Sequence, residues 1–152
     1  MTGDLALARA LHVLAVLHWI GGLSFVTLVV LAGREPPEAI LARFLSAERR
    51  FAPQARIAVL LAGASGLWLV RGLDLWWRFA EPGFWWMHAM VGVWLLFALA
   101  LFLAEPLFLH AWFERFSARE PARALALARR FHRLLLAASL LTVVGAVAAV
   151  HG

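Results

Sequence analysis

Six histidines are the side chains in this chain best equipped for chemistry: His12, His18, His88, His110, His132 and His151. There is no cysteine, which removes disulfides and thiolate metal sites from consideration. His12 and His18 lie in LHVLAVLHWIGG, inside an uncharged run from Ala10 to Gly33 that is long enough to cross a bilayer. An ionisable side chain is costly in hydrocarbon and is usually kept there for a purpose. A neutral imidazole is also the commonest protein ligand for a metal.

Depth follows from the rise of about 1.5 Å per residue along a helix. His12 then sits a few ångströms below the outer surface and His18 roughly 9 Å deeper. Helix three begins outside near Pro82, which puts His88 at an intermediate depth in the same leaflet, and His151 closes helix four on that side. His110 and His132 fall near the opposite ends of helices three and four. A b-type haem held between helices requires two neutral imidazoles from facing helices at similar depth. His12 or His18 with His88 meets that requirement. Gly22 and Gly92 each follow a histidine by four residues and share its face, leaving room for a macrocycle. At about 100° per residue His12 and His18 point roughly 120° apart, so they are not expected to ligate one metal from the same side; two sites, or a supporting role for one of them, are the alternatives. Arg71 and Arg78 in the outer loop are candidates to pair with haem propionates.

Blander roles compete with these. Gly21-Gly22 also serves as a packing notch of the kind that lets membrane helices approach closely. His110, His132 and His151 lie near interfaces, where a solvated histidine costs little. Copper is the rival ligand, because Met87-His88-Ala89-Met90 is soft enough for Cu(I). Met87 and Met90 share a helix face, whereas His88 lies about 160° from Met90, so the three grip one ion only if the helix unwinds.

The elements that must position these groups are set by composition. Of 152 residues, 64% are hydrophobic, and the mean hydropathy of +0.83 is that of a membrane protein. Four apolar spans are expected at about 5–32, 51–70, 82–104 and 134–152, forming one all-α integral membrane four-helix bundle. Barrel strands are excluded by the absence of ten-residue alternation. Helical lead-ins are expected after Glu35-Pro36-Pro37-Glu38 and after Glu120-Pro121. The uncharged core of the second span is short, so Arg56 or Arg71 is expected to snorkel to an interface. No cleavable signal peptide is apparent.

All fourteen formal positive charges are arginine, and they lie between the apolar runs. Eleven fall in the first and third loops and three on the other side. That asymmetry implies both termini outside (periplasmic) in an inner, cytoplasmic membrane, and it accounts for the net charge of +5 without a nucleic-acid partner. Trp76, Trp77, Trp85 and Trp86 in the outer loop are expected to form an interfacial belt.

These residues also carry a resemblance. Leu11-His12-Val13-Leu14-Ala15 with Trp19-Ile20-Gly21-Gly22 resembles the opening helix of the HemJ-type protoporphyrinogen IX oxidases and of copper-resistance protein D-like membrane domains. Glu48-Arg49-Arg50, Gly66-Leu67-Trp68-Leu69, Trp86-Met87-His88-Ala89 and Arg130-Phe131-His132-Arg133 are similar to the later helices of the HemJ-type proteins. The resemblance implies a four-helix haem b protein with His12 and His88 at the family's histidine positions. It departs at Met90, where HemJ-type enzymes carry a lysine, and this chain has no lysine at all. The expectation is a membrane b-type cytochrome for electron transfer or ligand sensing, with the bilayer and a redox partner or larger membrane complex as partners and a homo-oligomer as one form. Protoporphyrinogen oxidation, copper handling and a cofactor-free accessory subunit are the alternatives.

Overall fold

The computed structural model describes residues 2–151, with the side chains of residues 3–149. Helix α1 (Thr2–Phe25) continues through a wider π turn, Val26–Val30. Helix α2 (Pro37–Gly72) is one uninterrupted rod of 36 residues. Short 3₁₀ turns at Trp76–Phe79 and Pro82–Phe84 lead into α3 (Trp85–Leu99). A π-helical stretch, Ala100–Leu109, joins α3 to α4 (His110–Arg119). Helix α5 (Pro121–His151) follows directly. Four helical rods, Gly3–Val30, Pro37–Gly72, Pro82–Arg119 and Pro121–Ala149, are long and apolar enough to cross a membrane.

The all-α expectation of four apolar helices long enough to cross a membrane therefore holds. The helical rods extend beyond the apolar spans: the second begins at Pro37, the third runs to Arg119 and the fourth begins at Pro121. The lead-ins expected before the second and fourth spans are continuous with them. At about 1.5 Å per residue, α2 is roughly 54 Å long, well beyond a hydrocarbon core of about 30 Å.

Apolar side chains are outside as well as inside: Leu14, Leu28, Leu107 and Phe108 are each more than 60% exposed. That distribution suits a lipid solvent, where helices gain little from hiding leucine and pack instead through small residues. Helix α2 shows how. Ala52, Ala55, Ala58, Val59, Ala62 and Ser65 recur at three- and four-residue intervals and form its buried face. Buried apolar residues form two clusters. One, at the end of the bundle near the α1–α2 loop, joins Val26, Leu31, Ile40, Leu41 and Phe44 to Ala124, Leu125 and Ala128. The other, around Trp19, Leu23, Val59, Phe97 and Leu136, lies nearer the middle.

Two arginines repair the backbone at irregular points. In the π register the Leu101 carbonyl would accept from the amide of residue 106, but that residue is proline and has no N–H. The Arg56 Nε–H donates to this carbonyl at 3.0 Å, and its NH2 reaches Glu105 Oε2 at 3.2 Å. The Arg56 charge is thus matched by Glu105 on the neighbouring rod, while Arg71, the other residue expected to snorkel, is exposed. Arg129 similarly donates to the terminal carbonyls of the first rod, Leu31 O at 2.7 Å and Gly33 O at 2.8 Å.

Candidate functional site

Between the middle cluster and the 3₁₀ turns lies a cavity of about 540 Å³, lined by all four rods. Its size is that of a small-molecule or cofactor pocket, and its walls are mostly apolar. His12 from α1 lines it, beside Ala62, Gly63 and Gly66 of α2.

His12 is positioned by α2. Its Nδ1 lies 3.0 Å from the Ala62 carbonyl oxygen and 3.2 Å from Ser65 Oγ. A carbonyl only accepts, so Nδ1 carries the proton and donates it. Ser65 Oγ meanwhile donates to the Leu61 carbonyl at 2.5 Å, leaving its lone pairs to face the ring. Nε2 is then the unprotonated nitrogen, with a lone pair free for a metal. A carbonyl holding Nδ1–H is the usual support behind a metal-binding imidazole. Gly66 makes the approach possible: a Cβ there would stand 3.1 Å from His12 Cε1.

Three buried polar atoms on residues lining the same cavity have no partner among the described residues: Trp19 Nε1, Trp86 Nε1 and Ser139 Oγ. Ser139 is 1% exposed. The intramembrane hydroxyls of Ser24, Thr27, Ser65 and Thr142 each donate to a carbonyl of the preceding turn, and Ser139 does not. An unsatisfied buried donor costs about 1–3 kcal/mol. Bare Nε2, unmatched donors and apolar walls fit a flat apolar group that has a Lewis-acidic centre and polar edges.

The other expected site residues fall elsewhere. His88 is exposed on the outside of α3, edge-on to Phe79 at 5.4 Å, and does not line the cavity. His18 is exposed and tilts against Phe51 at 5.8 Å. That same phenyl ring occupies the space where a Gly22 Cβ would stand, so Gly22 is a packing notch for Phe51. Gly92 is exposed, with nothing within 4 Å of where its Cβ would be. Arg71 is exposed and Arg78 packs its guanidinium over Phe84 at 4.9 Å; neither lines the cavity, whereas Arg9 does. His110 and His132 lie near acidic residues, 3.2 Å from Glu114 and 3.6 Å from Glu48. The side chain of His151 is outside those described. Three of the belt tryptophans, Trp76, Trp77 and Trp85, are about half exposed, but Trp86 turns inward at 7% exposure.

Sequence reasoning missed Arg9, Trp86 and Ser139, and it weighed Met87 and Met90 only for copper. Met87 and Met90 both line the cavity with His12. Among the described residues no group of three His, Asp or Glu side chains is gathered to hold a metal. No protein-family profile matches this chain, and neither the curated proteins nor the solved structures contain a match to it.

Proposed function

We propose that the chain is a membrane-embedded b-type haem protein that carries single electrons, with His12 Nε2 as an iron ligand. One observation supports this above the rest. The Nδ1–H of His12 is committed to the Ala62 carbonyl, which leaves Nε2 unprotonated on a residue that lines an apolar cavity of about 540 Å³. Haem, when bound, supplies the one-electron couple. The protein's part is to hold the imidazole in one tautomer, keep water out with apolar walls, and offer donors to the carboxylates. Arg9 at the exposed rim and the unpartnered Trp86 N–H are the groups suited to that last task. Protoporphyrinogen oxidation is the weaker extension, since Met90 stands where the resembling family has its lysine.

The arginine distribution supports a topology with both termini outside in the inner membrane. The exposed apolar surface is available to lipid, to a redox partner or to a second copy of the chain.

A second reading, copper(I) handling, is favoured by one fact: the two thioethers of Met87 and Met90 share the cavity with His12. Haem and metal content of the protein purified in detergent separates the two. About one haem per chain with a strong Soret band is expected. A colourless protein carrying stoichiometric copper refutes the haem reading.

A further inference from the structure

Resting on that haem reading, we propose that the second axial ligand is the thioether of Met90, with His88 having no part in iron binding. Helix α2 serves as a common ruler for depth. His12 meets α2 at Ala62, Ser65 and Gly66. Trp94 of α3 meets α2 at Val59, whose carbonyl accepts its indole N–H at 2.8 Å, and lies over Gly63. Since α3 runs antiparallel to α2, Met90 stands one turn, about 6 Å, further out than Trp94. That brings Met90 to the level of α2 residues 63–67, the level His12 occupies. Both residues line the cavity from different helices. The two residues thus share one depth and one cavity, which is what a pair of axial ligands requires first.

The competing donors on α3 are disposed differently. His88 lies at a similar depth but on the outward face, exposed and set against Phe79. Met87 is a turn further out and packed to 3% exposure, whereas Met90 keeps part of its surface open to the void. A thioether is soft and neutral, and a His/Met pair raises the reduction potential of haem relative to two imidazoles. The site would therefore favour the ferrous state.

The test is spectroscopy and potentiometry of the purified holoprotein beside Met90→Leu, Met90→His, Met87→Leu and His88→Leu. The wild type should be low-spin in both oxidation states and show the thioether-to-ferric-iron charge-transfer band at the red end of the spectrum. Met90→Leu should lose that band and become high-spin. Met90→His should stay low-spin, lose the band and drop in midpoint potential, which guards against a variant that merely fails to fold. Met87→Leu and His88→Leu should match the wild type. Haem bound without the band, or a low-spin spectrum lost in His88→Leu and kept in Met90→Leu, overturns the Met90 assignment while leaving the haem reading intact. A preparation with no Soret band overturns both.

Discussion

A neutral imidazole has one lone pair to offer, and its use depends on where the ring proton is held. At His12 the Ala62 carbonyl and Ser65 hydroxyl fix that proton on Nδ1. Gly66 gives the ring its place, with 3.1 Å between a would-be Cβ and His12 Cε1. Gly66→Ala should therefore displace the ring by a few tenths of an ångström, loosen its hydrogen bonds and weaken haem retention by up to roughly tenfold, at the low end of what losing such support costs. Haem titration into the apoprotein measures this, and unchanged affinity would show that the ring is not seated by α2. Relative depth along each helix can be read from residue number, which is the basis for expecting His12 and His88 at similar levels. Rotation was not readable. His88 and Met90 are two residues apart and about 160° apart around α3, so a single rotational setting turns one outward and the other into the cavity. That setting comes from Trp94 on Gly63 and Trp85 on Gly145, contacts between distant segments that no local pattern announces.

Among the elements, the third rod carries the clearest sign of interdependence. Pro106 removes the donor for the Leu101 carbonyl, and Arg56 of α2 supplies one. Arg56→Leu leaves that carbonyl unsatisfied and deprives Glu105 of its counter-charge. The expected loss is about 1–3 kcal/mol, seen as a lower melting temperature in detergent. Adding Pro106→Ala returns an amide to position 106, so the double variant should recover part of the loss. Strictly additive effects would argue against coupling between the two sites. Arg56 is legible in the sequence as a charge beside an apolar core. Glu105 lies 49 residues away, and a pairing across helices at that separation cannot be inferred from either segment alone.

For the whole molecule, four apolar runs were enough to reveal four spans, because the bilayer sets the length each must have. Their ends were harder to place. The arginine-bearing segments before residues 51 and 134 are too polar to read as membrane, yet they continue the same helices, since backbone hydrogen bonding propagates past the bilayer edge at little cost. The proposed orientation rests on eleven arginines against three. A reporter enzyme that is active only outside the cytoplasm should work when fused after residue 152 and fail when inserted at 34–36 or near 120. The reverse pattern would invert the topology.

The cavity ties the three scales together, because residues of all four rods line it, His12, Met90 and Ser139 among them. The most direct measurement is the reduced-minus-oxidised absorbance spectrum of the purified protein, taken beside His12→Ala and His88→Ala. A haem b difference spectrum is expected in the wild type and in His88→Ala, and should be lost in His12→Ala. An unchanged spectrum in His12→Ala would contradict the assignment of His12 as the iron ligand.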